Sequence, residues 1–218
     1  MHWLVLCLGL TLGASHAAAY EDGSLLFLEN CNSVVQWTGD GKIGHVAMLF
    51  RDDQGETWVY EATPGRLRKV TLAQYREELA RINSRRDDGE GIRGLVMQPK
   101  RAYTPTEVTA MLEYLDEQIG RRYSVRNYVR DKPGDGMHCA EMTSSTLNRS
   151  GQYDFESPGK IHPAELFRKV SPSHTAVEPL DLEIELQQLT WCQRQSLRWS
   201  EYWTLCKWSC RESWAWCW

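Results

Sequence analysis

The chain has 218 residues, a formal net charge of -4 and 42% hydrophobic residues. This length supports one sizeable hydrophobic core and is too short for two ordinary domains. Charged residues make up 25% of the chain, so the composition is neither disordered nor collagen-like. Nucleic acid is excluded as an expected partner, because the chain lacks the excess of basic residues that phosphate neutralisation requires.

The first residues have the pattern of a secretory signal. An apolar run extends from Trp3 to Leu12, and three consecutive alanines precede Tyr20. The run is shorter than the ~20 residues of a membrane span, and the small residues are typical of a cleavage site. We interpret residues 1–19 as a signal peptide and expect a secreted or periplasmic protein, although Met1 and His2 supply no Lys or Arg. The alternative is a buried first helix.

The first half of the mature chain alternates short apolar runs with turn residues. Residues 24–28, 45–50 and 58–61 are rich in strand formers, and the turn-like residues 51–55 join the last two runs into a predicted β-hairpin over 45–62. Thr71 and Gln74 have capping-box spacing before apolar residues that recur at helical intervals to Ile82, which predicts a helix. Residues 94–98 predict a further strand.

The second half contains the clearest helix signals. Thr104, Pro105 and Glu107 fit an N-cap, a first helical position and a third helical position, and Gly120 ends this helix. Residues 139–149 have a helical apolar pattern that stops at Gly151, and a short helix is expected over 164–169. Residues 180–186 alternate apolar and acidic side chains, which predicts a strand. Because both element types mix without a regular βαβ order, we expect an α+β fold.

The C-terminal residues differ in composition from the domain that we place at 20–190. Residues 191–218 hold seven of the ten tryptophans and four cysteines. Six of these fall three or four positions apart, as in the apolar stripe of an amphipathic helix. We expect this tail to pack on the domain, to be stapled by disulfides, or to contact a membrane interface, a glycan or a partner protein. The spaced residues are Trp199, Trp203, Cys206, Cys210, Trp214 and Cys217.

Chemistry is predicted where Cys139 begins a helix. A catalytic cysteine must be a thiolate, and a helix N-terminus stabilises that anion and offers amides to an oxyanion. If Arg51 pairs with Gly55 or Glu56 in the hairpin, His45 lies opposite Glu61 or Ala62, where cross-strand Cβ atoms are about 4.5–5.5 Å apart. Cys139, His45 and Glu61 are therefore the predicted triad of nucleophile, base and orienting carboxylate. Taken singly, each also fits a purely structural role.

Six segments together carry a family resemblance. Residues 24–27, 44–48, 59–62, 120–123, 138–142 and 158–166 resemble, in order and spacing, the permuted papain-like amidases, the YaeF/YiiX-like branch of the NlpC-type cysteine hydrolases. The resemblance implies a circularly permuted papain-like fold, with a small antiparallel barrel-like sheet packed on helices and the histidine strand preceding the cysteine helix. It also implies that Cys139 is the nucleophile, His45 the general base and Glu61 its orienting partner, with no cofactor.

The chain departs from the family pattern at two positions beside the nucleophile. His138 stands where the family commonly has an aromatic residue, and Ala140 replaces the usual serine. We expect His138 to act as an oxyanion donor in place of an aromatic hydroxyl. Glu141 and Tyr123 are further candidates for oxyanion or substrate binding, and a helix-capping charge is the alternative for Glu141.

The leading functional hypothesis is a secreted cysteine hydrolase that forms an acyl-thioester. Its substrate would be a peptide, a cell-wall peptide or an N-acyl amine. The alternatives are a lipid acyltransferase or acyl hydrolase on the same fold, and a catalytically silent secreted binding module. A metal site from His45, Glu61, His138 and Cys139 has suitable ligand types but lacks a diagnostic spacing.

Overall fold

A computed structural model describes residues 20–31, 42–86, 91–126, 128 and 135–182, together with six separate residues of the tail. The predicted signal peptide at 1–19 lies outside the described residues, as does most of the tail at 191–218. The six described tail residues are helical, and the side chains of Trp199 and Trp203 are 60% and 56% exposed. Among the described residues, no helix is both long enough and apolar enough to cross a bilayer.

An antiparallel sheet forms the centre of the fold. Its six strands run in the order β4-β3-β2-β1-β5-β8. A separate pair of short strands, β6 and β7, is parallel. The strands are β1 (Ser24–Glu29), β2 (Ile43–Arg51), β3 (Thr57–Ala62), β4 (Leu67–Thr71), β5 (Arg93–Met97), β6 (Arg122–Tyr123), β7 (Gly136–Met137) and β8 (Glu178–Leu180).

Four α-helices with described bounds pack on the sheet. They are α1 (Leu72–Asn83), α2 (Pro105–Gln118), α3 (Cys139–Arg149) and α4 (Pro163–Val170), with short 3-10 turns at Pro158–Lys160 and Ser171–Ser173. The predicted α+β class is confirmed. The four helices predicted between residues 71 and 169 are present, and α3 begins and ends at the predicted residues.

Local capping explains where two of the helices begin. The Thr71 hydroxyl accepts a hydrogen bond from the Gln74 N–H at 3.2 Å, and the Gln74 side chain accepts one from the Thr71 N–H. The Thr104 hydroxyl accepts in the same way from the Glu107 N–H at 3.3 Å. Each box satisfies N–H groups that lack partners inside a helix, so both starting points are encoded within a few residues.

The two faces of the sheet bury two hydrophobic clusters. Because side chains alternate along a strand, Phe27 and Met48 contribute to the cluster beneath α2, α3 and α4, whereas Leu26 and Ala47 contribute to the one beneath α1. Helices therefore cover both faces, and of the four helices given above α1 lies on one face and the other three on the opposite face. The described strands pair in a linear order with β4 and β8 at its ends, where the expected arrangement was barrel-like.

Two strands differ from the sequence prediction. Strand β4, in which buried Leu67 and exposed Lys69 flank Arg68, has no alternating apolar pattern and was not predicted. The last strand occupies Glu178–Leu180 and begins before the predicted start at residue 180. It pairs with β5 across Gly94 and Leu180. The remainder of that predicted strand, from residue 183, lies outside the described residues.

The register of the β2–β3 hairpin corrects the predicted pairing. Arg51 pairs with Thr57 rather than with Gly55 or Glu56. The reason is a wider turn, in which the Asp52 carboxylate accepts hydrogen bonds from the Gln54 and Glu56 N–H groups, both at 2.9 Å. The Asp52 N–H also donates to the Glu56 carbonyl at 3.0 Å. Continued to His45, this register places position 63 across from it, one or two positions beyond the predicted partners Glu61 and Ala62.

The edge of β4 leads the chain towards α3. The Leu67 N–H donates to the Arg121 carbonyl at 2.8 Å, and the Gly120 N–H donates to the Leu67 carbonyl at 2.9 Å. Arg122 in β6 then pairs with Gly136 in β7. Gly136 is two residues before His138, the N-cap of α3. A Cβ atom at Gly136 would lie 2.8 Å from the Arg122 carbonyl oxygen. Only glycine therefore permits this close approach of the two backbones.

Candidate active site

Cys139 is the first residue of α3 and is 3% exposed. The N–H groups of a first helical turn lack intrahelical acceptors, and together with the helix dipole they favour a negative charge at this end. The β7 strand and its contact with β6 hold the chain immediately before this turn. The fold thus presents the sulfur atom at a site that is both buried and electropositive.

His45 lies at an irregularity in β2. Leu28 pairs with His45, but the next residue of β1, Glu29, pairs with Ile43, so Gly44 is an extra residue in the strand. Ile43 and Val46 consequently both belong to the cluster beneath α3 although they are an odd number of positions apart. Such β-bulges redirect side chains and are common beside active sites. Here the bulge accompanies a histidine that interacts electrostatically with Cys139.

Glu61 is the second partner of the His45 ring. His45 Nε2 is 2.9 Å from Glu61 Oε2, and Glu61 is 2% exposed. The β2–β3 register, continued past Tyr60, sets Glu61 opposite Ala47 and leaves His45 as its diagonal neighbour on the same face. Diagonal neighbours are within reach when the side chains are long. The predicted pair is therefore in contact even though the predicted register was wrong.

These contacts set opposite charges on the cysteine and the histidine. Burial raises the pKa of the Cys139 thiol, but the positive charge of His45, followed by the adjoining His138 and His45 rings, outweighs burial and lowers the pKa to about 5. Burial alone would lower the pKa of His45. The Cys139 charge and hydrogen bond, followed by those of Glu61, instead raise that pKa well above its ordinary 6.5. At neutral pH the arrangement favours a thiolate–imidazolium pair.

The structure gives His138 a capping role. This residue is the N-cap of α3, and its Nδ1 accepts a hydrogen bond from the Glu141 N–H at 3.3 Å. Its Nε2 donates to the Gly159 carbonyl at 3.0 Å. In this tautomer the single ring N–H is committed to Gly159, so backbone amides, rather than the expected His138 donor, are the available donors for an oxyanion. The ring borders the sulfur and contributes to the low pKa of Cys139.

Glu141 and Tyr123, the other two candidate binding residues, lie on either side of His138 in the chain. Glu141 is in the first turn of α3, and its Oε2 is 3.9 Å from His138 Nε2. That position matches the alternative role of a charge that complements the helix dipole. Tyr123 is half-buried in β6 and packs against the cluster that contains Cys139. The ring of Tyr128 lies 6.0 Å from the His138 ring and 6.2 Å from the His162 ring, measured between centroids.

A metal site is not formed by these side chains. Within the described parts of the chain, no group of three or more His, Cys, Asp or Glu side chains is arranged to hold a metal ion. The four residues of the alternative metal set, His45, Glu61, His138 and Cys139, are all described and do not form such a group. The arrangement can instead support nucleophilic attack by sulfur with proton transfer through the imidazole.

Two residues that sequence reasoning missed complete the surroundings of Glu61. Arg68 in β4 lies directly across from Glu61 and contacts its carboxylate, and Glu78 in α1 contacts Arg68. The only signal in the sequence is one positive residue seven positions after Glu61, which has no meaning until the β3–β4 register is known. The charges of this group meet only through the pairing of β3 with β4 and the packing of α1.

Comparisons with known proteins support the fold. The sequence matches no protein-family model and no curated protein. Among solved structures, the chain is similar to one described as the metalloprotein YiiX from Escherichia coli O157:H7, with 14% sequence identity and a TM-score of 0.52. The match covers 78% of this chain and 99% of the YiiX chain. The chain therefore shares the overall α+β architecture of YiiX.

Proposed function

We propose that the protein is a cysteine hydrolase that cleaves amide bonds in peptides or N-acylated amines. The observation that carries this proposal is the buried chain of interacting side chains from Cys139 through His45 to Glu61, in which His45 Nε2 lies 2.9 Å from Glu61 Oε2. The low pKa of the Cys139 thiol supplies the nucleophilic form at neutral pH. Structural cysteines and histidines of a core do not require such a chain.

The reaction would proceed in two stages. The Cys139 thiolate attacks the carbonyl carbon, and the His45 imidazolium gives its proton to the departing amine as the thioester forms. Neutral His45 then takes a proton from water, whose oxygen attacks the thioester and releases the carboxylic acid and the thiolate. Glu61 Oε2 holds Nε2 of His45 throughout, so Nδ1 is the nitrogen that faces the sulfur. The backbone amides that begin α3 bind the oxyanion.

The fold supports a particular branch of such hydrolases. The histidine strand precedes the cysteine helix in the chain, as in the permuted papain-like amidases that the sequence resembles. The similarity to YiiX is consistent with this assignment. The structure of YiiX is described as that of a metalloprotein, but the mechanism proposed for this chain uses only its own side chains and water. A secretory route is proposed from the apolar run that ends at Leu12.

Turnover and thiol reactivity test the proposal together. The substrates are short peptides, N-acyl amino acids and phospholipid vesicles, assayed side by side by mass spectrometry of the products. We expect amide cleavage that is lost in Cys139→Ala and retained in Cys210→Ala, a matched substitution of a free and exposed cysteine. Release of fatty acid, or its transfer to an amine, in the vesicle assay alone would favour the lipid alternative. Cleavage that survives in Cys139→Ala would reject the nucleophile assignment.

A silent binding module is distinguished by the thiol itself. In that alternative the Cys139 thiol has no functional reason to be ionised at neutral pH. Stoichiometric alkylation of Cys139 by iodoacetamide at pH 6 supports the hydrolase, because most ordinary thiols are protonated at that pH. An unreactive Cys139 thiol in the folded protein, together with no turnover on any of the substrates, would favour the binding module.

A further inference from the structure

The buried Glu61 carboxylate has two oxygen atoms, and His45 satisfies one of them. His45 Nε2 contacts Oε2 at 2.9 Å. The other atom, Oε1, accepts a hydrogen bond from Arg68 Nε at 2.7 Å and lies 2.6 Å from Arg68 Nη2 in an ion pair. A carboxylate that is 2% exposed requires partners for both oxygens, because an unpaired buried charge is strongly unfavourable. The guanidinium therefore fixes which oxygen of Glu61 remains for the histidine.

Arg68 is itself held from its far side. Its Nη1 and Nη2 atoms contact the two Glu78 oxygens at 3.1 and 2.5 Å. A planar guanidinium with several donors suits this bridging position between two carboxylates, which a lysine would contact only as a point charge. Arg68 also lies directly across from Glu61 in the β3–β4 register. The backbone and Glu78 thus fix both ends of the arginine side chain.

We propose that Arg68, anchored by Glu78, is a positioning residue that keeps Glu61 ionised and its Oε2 directed at His45, and so maintains the thiolate–imidazolium pair. This inference rests on the proposed function of Cys139 and His45. Arg68 touches neither the sulfur nor the imidazole in the contacts described above, and it acts through Glu61. The site is then a chain of alternating charge that runs from α3 through β2, β3 and β4 to α1.

Electrostatics gives the direction of the effect. Burial raises the pKa of Glu61, and hydrogen bonding and charge from His45 and then from Arg68 lower it below its ordinary value. Without Arg68 the cluster of thiolate, imidazolium and carboxylate is a buried net negative charge, so it takes up a proton more readily. Protonation of either Cys139 or Glu61 weakens the ion pair. The titratable groups that interact with this cluster are Cys31, His45, Arg68, Tyr75, Glu78, His138 and Glu141.

The test measures the pH midpoint of Cys139 alkylation in the full-length protein, with iodoacetamide as the probe. We expect Arg68→Met to raise the midpoint by at least one pH unit, whereas Arg68→Lys, which keeps the charge, raises it less. Arg76→Met is the matched control, because Arg76 pairs with Asp181 at 2.9 Å at another position on α1. An Arg68→Met variant whose midpoint equals that of the wild type or of Arg76→Met would overturn the proposal.

A double substitution separates positioning from a direct effect of the arginine charge. In a Glu61→Gln background, Arg68→Met should add little to the shift already caused by Glu61→Gln. A full additional shift would contradict action through Glu61. If Arg68→Met does not fold, Arg68→Gln is compared with Arg68→Lys, and equal midpoints for the two would overturn the proposal. A wild-type midpoint near 8.5 would instead reject the proposed function, and this inference with it.

Discussion

Replacing His45 tests the origin of the ionised cysteine most directly. The pKa of the Cys139 thiol is about 5, against an ordinary value of 9.0. Since each tenfold change in an ionisation constant is about 1.4 kcal/mol, the surroundings stabilise the thiolate by about 5 kcal/mol. His45 supplies the largest opposing effect to burial, which by itself raises the pKa. In His45→Gln we therefore expect a midpoint at or above about 8.5, the value of a free thiol.

The assay is the alkylation rate of Cys139 between pH 4 and pH 10, located by peptide mass spectrometry because other cysteines are also free. The midpoint is the decisive quantity. The rate at a single pH does not report the pKa by itself, since a more basic thiolate is also intrinsically more nucleophilic. His174→Gln is the control, because His174 is also buried but contacts the Val170 carbonyl. A midpoint that remains near 5 in His45→Gln would refute the ion-pair reasoning.

Three further predictions address stability, folding and processing. Because interactions in the folded state lower the pKa of Glu61, its contribution to stability is present above the unfolded pKa of about 4.3 and is lost as the pH falls through the lower folded pKa. Thermal unfolding should therefore show a drop in Tm below about pH 4 that is smaller in Glu61→Gln, and an equal drop in both proteins would contradict the assignment. Gly136→Ala should cost about 1–3 kcal/mol in urea unfolding, since its methyl group meets the Ser124 Cβ at 2.6 Å in a packed region. Gly55→Ala, whose Cβ meets no atom within 4 Å, reports only the cost of a positive φ, and an equal loss in both variants would argue against crowding. N-terminal sequencing of protein exported by a secretory host should begin at Tyr20, and retention of Met1 would contradict the signal-peptide interpretation.

Local interactions account for what the sequence predicted well. The starts of α1 and α2 depend on the capping boxes of Thr71 and Thr104, whose partners are three residues away. The start of α3 was predicted from another local signal, the helical apolar pattern that follows Cys139. Hydrophobic periodicity likewise gave β1, β2, β3 and β5 to within a few residues. Such features are visible in a sequence because their energies arise between near neighbours.

The composition of the site was predicted in part. Cys139, His45 and Glu61 were predicted as a set, and the structure places His45 in contact with Glu61 and in electrostatic interaction with Cys139. The reason for the contact between His45 and Glu61 differed from the predicted one, since the residues are diagonal rather than opposite. The Asp52 turn determines this difference through hydrogen bonds that the sequence pattern did not specify.

The sequence by itself determined the boundaries of the domain helices to within a few residues, the presence of the hairpin and the position of Cys139 at a helix start. Only the tertiary structure decided that Arg68 contacts Glu61 and that Glu78 contacts Arg68. It also decided that the His138 ring is hydrogen-bonded to the Gly159 carbonyl. Caps and periodic patterns depend on residues a few positions apart. The charge environment of Cys139 depends on strand register and helix packing, which bring together residues from four separate parts of the chain.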